Sequence, residues 1–548
     1  MTQHLRIIPL GGLGEIGKNM TVLEYGHDMM LIDCGAMFPE ADMYGIDLVL
    51  PQYDYVVKNQ HRLRGIVLTH GHQDHIGGLP YLLREMQTTI YGTALTIGMA
   101  QNQVREPSAQ ANAEWRVVDD RATLELGAFH VNLFPVAHSI PGSVGLVVDT
   151  PAGAVVHTGD YKLDETPTGG RTTDLQRLRR LTPRGALALL ADSTNADRPG
   201  RTPTEQLVAD ELDRLFADAK QGRIIVATFA SLLARLQEIL RLAAKHGRHV
   251  VLTGRSLEEN VALAQKLGYL TVPDGLLVHA DTRLPDQRLV ILATGSQGEP
   301  RSALNRMAEG RHREIQVKPK DTIIVSGGTI PGNEAEVGRM LNKLFERGAN
   351  VIYGKLATVH VSGHASRDEM QAMLEAARPR YLLPVHGEQR HLHLHARLAE
   401  SGGMAAEHVF VLKNGTVWAS DGKRAWLEEP VPAQDVLVDG SLVGEVERIV
   451  VQDRQRLSQD GFIVALIPVN ARDRLAGEPA LISRGVVPQE YSHPLLQAAC
   501  AEVKRQYRRD RSVAKDTVQQ TLQDFFYRET RSRPVVLPSL IHVPTHAG

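Results

Sequence analysis

Short apolar runs punctuated by polar residues dominate the first two hundred positions. Runs at 5–10, 65–69, 129–136, 145–150 and 154–158 each stop at or near a polar side chain, and those at 19–25 and 29–33 flank a turn at 26–28. Such runs read as β-strands, the last pair as a hairpin. From about Pro203 the texture changes. Residues 204–220 and 232–246 repeat apolar positions at helical spacing, between strand-like runs at 223–228, 249–252, 289–293 and 322–325. Strands that alternate with helices predict a parallel sheet. Near residue 357 the first texture returns, and a run at 381–385 leads to His386. The second domain therefore reads as an insertion into the first. Pro430, Pro432, Gly440 and Gly444 mark a linker; a run at 462–469, a basic helix around 504–511 and a last strand near 534–543 predict a small C-terminal α/β unit. The expected division is a first domain from 1–205 and 357–430, an insert at 206–356, a linker at 431–450 and a C-terminal domain at 451–548.

At 548 residues the chain is too long for one core, in keeping with that division. Lys and Arg total 61 against 63 Asp and Glu, which excludes attachment to nucleic acid by gross charge and leaves only local basic patches. The two cysteines, Cys34 and Cys500, exclude a disulfide framework and point to a reducing, cytoplasmic compartment. No apolar stretch approaches 18 residues, so neither secretion nor a membrane span is expected.

Gly12-Leu13-Gly14-Glu15-Ile16-Gly17 matches the dinucleotide-binding spacing, with Asp33 where a ribose-binding acid would stand. A phosphate site of that kind needs a helix directly after the glycines. The segment that follows, Asn19 to Tyr25, is β-rich. The glycines therefore read as a tight turn where backbones approach closely.

His70-Gly71-His72-Gln73-Asp74-His75 carries the chemistry. Four potential ligands within six residues, at the end of a strand, can splay toward one point, and imidazole with carboxylate suits zinc and related divalent ions. Two ions need further donors. His138, Asp160 and His386 each lie just past an apolar run, where a rigid sheet can aim them, and Asp33 is placed to orient a ligand histidine.

The order Asp33, His70 to His75, His138, Asp160 resembles the metallo-β-lactamase superfamily, an αββα sandwich. The segments Asp192-Ser193-Thr194-Asn195, Thr294 to Pro300, Ile330 to Glu334, His360-Val361-Ser362-Gly363-His364-Ala365 and His386-Gly387-Glu388 narrow the likeness to the β-CASP nucleases. With the C-terminal unit, the whole resembles the bacterial ribonuclease J family. That likeness implies a metallo-β-lactamase domain, an inserted α/β β-CASP domain and a small C-terminal α/β domain. It implies one ion held by His70, His72 and His138, a second by Asp74, His75 and His386, and Asp160 between them. Zinc is the expected ion, with manganese as the other choice.

It further implies Asp192 and His364 as acid/base candidates, with help from Asp74. His360, Val361, Ser362, Gly363, His364, Ala365 and Ser366, together with Ser231, would bind the 5′-monophosphate of a single-stranded RNA. The expected activity is 5′→3′ exonucleolytic and endonucleolytic cleavage, in rRNA maturation and mRNA decay. A homodimer through the C-terminal domain, or a tetramer, is expected, with no membrane partner. The alternative is a metallohydrolase of the same fold acting on a small thioester or lactone, against which the large insert argues.

The chain departs from the family after Phe229-Ala230-Ser231, where Leu232-Leu233-Ala234-Arg235 stand in place of a segment with an Asn and a His, and at Ser326-Gly327-Gly328-Thr329, which replaces a more serine-rich run. His391, His393 and His395 read as packing or surface residues on a helix rather than a third metal site. The run Arg505 to Arg511 reads as an RNA contact, a solvated helix face or a subunit contact. Asp47 and Asp439 are candidates for a structural cation.

Overall fold

Alternation along the strands decides how the first domain is layered. In the strand Phe129–Pro135, Phe129, Val131 and Leu133 face one apolar core, while Phe134 faces another. Its neighbours repeat the division: Leu146 against Val147, Val155 against Val156, Leu190 against Leu189 and Leu383 against Leu382. Both faces of this sheet are covered, which is why its strands read as nearly continuous apolar runs rather than as alternating ones.

The computed structural model describes residues 4–40, 42–168, 171–330, 332–445, 448–509 and 514–543, with only the backbone described at 489–492. Pro331, Asp510 and Arg511, which belong to segments named above, lie outside the described residues. Two compact units are present, one formed by 1–38 and 48–436, the other by 39–47 and 437–548.

The larger unit holds an eight-stranded and a six-stranded sheet. Leu5, Ile7, Leu23, Met30 and Val67 of the first meet Val131, Leu146, Val155, Leu190 and Leu383 of the second in one shared core. The outer face of the six-stranded sheet is covered by the helices Leu175–Leu181, Arg367–Ala377 and Gln389–Ser401, through residues such as Leu178, Met370, Met373 and Ala399. This is the layered α/β sandwich of the metallo-β-lactamase type.

Between the strands Ala188–Asp192 and Tyr381–Val385, which pair in parallel in that sheet, the chain leaves to build a third one. Its five parallel strands run in the order His249–Thr253, Leu289–Ala293, Ile224–Ala227, Thr322–Val325 and Asn350–Ile352. Helices between successive strands close it over a core that includes Ile225, Ile291, Ile323, Met307 and Met340.

In the smaller unit the strand Phe462–Val469 pairs antiparallel with Ala480–Arg484 and in parallel with Val535–His542. Ile463, Ala465, Ile467 and Val469 pack on the helices Gln489–Arg509 and Lys515–Thr530. Asp439 is ion-paired with Arg454 at 2.5 Å, and Asp47 accepts a bond from the Gly440 backbone N–H. A guanidinium therefore stands beside Asp439, one of the two candidates for a structural cation. Among the described residues, no helix is long and apolar enough to cross a membrane.

The glycine motif is a turn, as its β-rich sequel requires. Leu13–Gly14 pairs with Gly387–Glu388, and a Cβ at Gly11 would stand 1.9 Å from the Lys18 carbonyl oxygen. That approach brings the first strand's exit loop beside the segment carrying His386.

Candidate metal centre

One end of the sandwich gathers the polar residues that terminate its strands. His70 follows Leu63–Val67, His138 follows Phe129–Pro135, Asp160 follows Gly153–His157, Asp192 ends Ala188–Asp192, and His386 follows Tyr381–Val385. The rigid sheets thus aim side chains that lie more than three hundred positions apart. Asp33 and His386 both adopt positive φ, 59° and 53°, a conformation that costs a non-glycine residue energy and is held by its surroundings.

Three groups of potential donors result, and the third, Asp192, His364 and His386, shares His386 with the second. His70, His72, His138 and Asp160 offer atoms lying within 4.8 Å of one another, and so do Asp74, His75, Asp160 and His386. In the first set His72 Nδ1 is 3.1 Å from His70 Nε2 and 3.2 Å from His138 Nε2. Asp160 Oδ2 lies 3.5 Å from His70 Nε2 and 3.6 Å from His138 Nε2. A tetrahedral ion with bonds near 2.0–2.1 Å separates its donors by roughly 3.3 Å, so the set fits a zinc-sized cation. Asp160 Oδ1 is buried without a hydrogen-bond partner and lies 3.4 Å from His75 Nε2 and 3.6 Å from His386 Nε2. Asp74 Oδ2 completes the second set, 3.1 Å from His386 Nε2 and 3.5 Å from His75 Nε2. A carboxylate with one oxygen in each set suits a position between two cations.

Every one of these imidazoles is held from its other side. His75 Nδ1 meets Asp33 Oδ2 at 2.8 Å, and Asp33 in turn accepts from the Thr69 backbone and hydroxyl. His70 Nδ1 meets the Thr69 hydroxyl, and His138 Nδ1–H donates to the Gly363 carbonyl at 2.8 Å. His386 Nδ1 lies 2.6 Å from the Thr194 hydroxyl, which donates to Asp192 Oδ1. Such partners fix ring orientation and leave the opposite nitrogen for a ligand.

Electrostatics divides the two sets. Burial, reinforced by neighbouring imidazolium charge, pushes His70 well below its usual range, His72 to about 4 and His138 to about 3. Burial also acts on His386 and His75. There it is outweighed by Asp160 and Asp74, with Asp192 beside His386 and Asp33 beside His75, so His386 stands at about 9 and His75 well above its usual value. Conversely, the surrounding histidines outweigh burial and hold Asp74 and Asp160 well below the carboxylate range.

His364 adjoins the second set. Its Nδ1 is 2.7 Å from Asp192 Oδ2, and Asp192 and Asp160 raise it against the effect of burial. Ser362 Oγ accepts from Asn195 Nδ2 at 2.9 Å and from the His364 backbone N–H, which leaves its own hydrogen to donate. The remainder of the 360–366 segment is less available. Val361 and Ala365 are buried, and Ser366 caps the helix Arg367–Ala377 with Glu369 in a capping box. His360 is half-buried, with its Nδ1 buried and unpartnered, and is driven down to about 3, first by loss of solvent and then by Arg235, Lys162 and Arg198. Ser231 ends the loop after Ile224–Ala227, its carbonyl accepting from Leu233. His391 and His395 are buried on the helix Gln389–Ser401, with His395 bonded to Ser193.

Thr69, Thr194, Asn195 and Glu369 carry contacts of the site that no local sequence pattern assigns to them. The available signal was position: Thr69 directly precedes the histidine cluster, and Thr194 and Asn195 follow a strand-end aspartate.

Comparison with known proteins places the chain. Residues 221–344 match "Ribonuclease J, beta-CASP domain", 449–543 "Ribonuclease J C-terminal domain", 13–197 "Metallo-beta-lactamase superfamily" and 350–412 "Zn-dependent metallo-hydrolase RNA specificity domain". The chain is similar to ribonuclease J2 of Bacillus subtilis, 35% identical over 552 residues that cover 99% of each chain. It is similar to ribonuclease J of Synechocystis, 41% identical over 490 residues, 89% of this chain and 76% of that one. In fold it is similar to a crystallised protein of unknown function from Enterococcus faecalis, with a TM-score of 0.50 and 14% identity, covering 80% of this chain and all of that one.

Proposed function

The chain belongs to the ribonuclease J family, and from that premise we propose a two-metal ribonuclease that degrades single-stranded RNA from a 5′-monophosphate end and also cuts internally, in rRNA maturation and mRNA decay. The observation that carries this reading is the pair of donor sets sharing Asp160, beside a loop that presents Ser362 and His364. The family matches favour RNA over a small thioester or lactone. They also support use of a divalent metal; zinc or manganese is our assignment from the nitrogen-rich donors.

His70, His72 and His138 would hold one ion, and Asp74, His75 and His386 the other, with Asp160 between them. Bound there, two divalent ions supply positive charge against the phosphodiester and lower the pKa of the attacking water. The residues do the rest. Asp192 keeps a proton on His364, which is placed to pass it to the departing 3′ oxygen, and Asp74 assists at the water side. Asn195 fixes the Ser362 hydroxyl, whose hydrogen, with the backbone N–H groups of the loop, would take the 5′-phosphate. A phosphate held one nucleotide from the donor sets makes mononucleotides the product.

Two free cysteines, one of them buried, fit a cytoplasmic protein. A homodimer through the C-terminal domain is supported by its outward sheet face, where Ile482 is 48%, Leu537 52% and Ile541 41% exposed. Light scattering tests this; a mass of one chain contradicts it.

Paired decay assays on 5′-monophosphate and 5′-triphosphate RNA test the end preference. Faster loss of the monophosphate form is expected. Equal rates would remove the phosphate role of Ser362 and His364.

A further inference from the structure

The largest fully buried charged side chain of the inserted domain lies outside the metal centre. Arg235 stands in the first turn of the helix Leu233–Lys245 and is 2% exposed. Its Nη2 donates to Glu205 Oε2 at 2.6 Å. Its Nη1 donates to Ser326 Oγ at 2.6 Å and to the Val359 carbonyl at 2.8 Å, and the Ser326 hydroxyl donates to that same carbonyl at 2.7 Å. Glu205 is tied onward: its backbone N–H donates to Asp164, which pairs with the buried Lys162 at 3.0 Å, two residues past Asp160.

Val359 is the residue before His360. From its doubly bonded carbonyl the backbone runs through Ser362 to Gly363, whose own carbonyl orients His138, and then to His364, which bonds Asp192. The inserted domain thus holds one end of the segment whose other contacts reach His138 of the first donor set and Asp192, which supports His386 of the second through Thr194. A guanidinium serving only packing could satisfy itself on carbonyls of its own domain, as Arg248 does on Ala219, Gly222 and Leu289. Arg235 instead spans from the insert to the return segment.

We propose that Arg235 is a positioning residue that sets the register of the 359–364 loop against the metal centre, so that a bound 5′-phosphate stands at cleaving distance. The inference rests on the phosphate role proposed above for that loop. Its chemistry requires arginine: a planar fork can reach a carboxylate from one nitrogen and a hydroxyl with a carbonyl from another, whereas a lysine ammonium is a single point.

The test compares two substrates in the metal-loaded enzyme. Bis(p-nitrophenyl) phosphate needs the metal centre but has no 5′ end to seat. Arg235→Lys should slow its cleavage no more than a few-fold, through the His138 contact of the loop, while KM for 5′-monophosphate RNA rises about ten- to a hundredfold and the preference over triphosphate RNA disappears. The double variant Arg235→Met/Glu205→Gln removes the charge pair without stranding a buried carboxylate, so it guards against a folding defect and should behave alike. A variant that keeps wild-type KM and end preference overturns the proposal. So does an equal fall on both substrates. Wild-type enzyme indifferent to the 5′ end overturns the phosphate reading as well, which separates the two failures.

Discussion

The two halves of the metal centre both lie largely out of solvent yet differ in what they hold. His72 and His138 stand at about 4 and about 3, while His386 stands at about 9. Burial lowers every one of them, so it is not what separates them. The carboxylates are. Asp33, Asp74, Asp160 and Asp192 surround His75 and His386, whereas His70, His72 and His138 face chiefly one another and one oxygen of Asp160. The first half is a neutral donor set ready for a cation. The second is an anionic cage that holds protons when no cation is present. A histidine cluster is therefore not one chemical object; its members are tuned by the acids beside them.

Asp160 is the point at which that comparison breaks most easily, because it alone contributes an oxygen to each half. Asp160→Asn removes a buried charge from between the two cation positions. Turnover on single-stranded RNA should fall by about a thousandfold. Metal analysis of the purified variant should find less than the wild-type content. Wild-type turnover with wild-type metal content would make the halves independent and Asp160 a packing residue.

A smaller change sharpens the comparison from one side. Thr194 links Asp192 to His386 and touches none of the first set. Thr194→Val keeps the volume and removes the hydroxyl, so His386 loses the partner of its Nδ1–H. Metal affinity should drop about 10- to 100-fold in the second half only, read by competition with a chromophoric chelator. Equal weakening of both ions would show that the halves are coupled through more than Asp160.

What was legible beforehand follows from the same division between short and long range. His70 to His75 are contiguous and end a strand, so their chemistry needed no fold to be seen. His138, Asp160 and His386 were readable as strand-end residues because a sheet places such residues at one edge. The inserted parallel sheet was visible in the alternation of helical and strand texture from Pro203 onward. The supporting contacts were not. Thr194, Asn195 and Glu369 act through partners 167 to 206 positions away, such as Ser362 for Asn195 and Leu163 for Glu369, and no local pattern announces such a bond. In the sequence Arg235 stands out only as the end of the departing segment Leu232 to Arg235. Its tie to Val359 needs two separate segments brought together.

The smallest effect concerns the metal-free protein, where the two halves should answer pH with opposite signs. An unfolded histidine titrates near 6.5. His386 is raised to about 9 in the fold, so its contribution is fully present below 6.5 and is lost as pH climbs through 9. His72 and His138 are depressed, so theirs is complete above 6.5 and is lost as pH falls toward 4 and 3. Thermal melts of metal-stripped protein should therefore decline on both sides of neutrality, by different residues. His386→Gln should make the alkaline side shallower, with His75 and His364 keeping the rest of it, and leave the acid side, because the residues responsible there belong to the other half. Saturating zinc should flatten the alkaline side of the wild type too, since a cation replaces the protons that the cage otherwise retains. A wild-type melting temperature unchanged between pH 7 and 9 would mean that the carboxylates do not hold a proton on His386, and the proposed asymmetry would lose its basis.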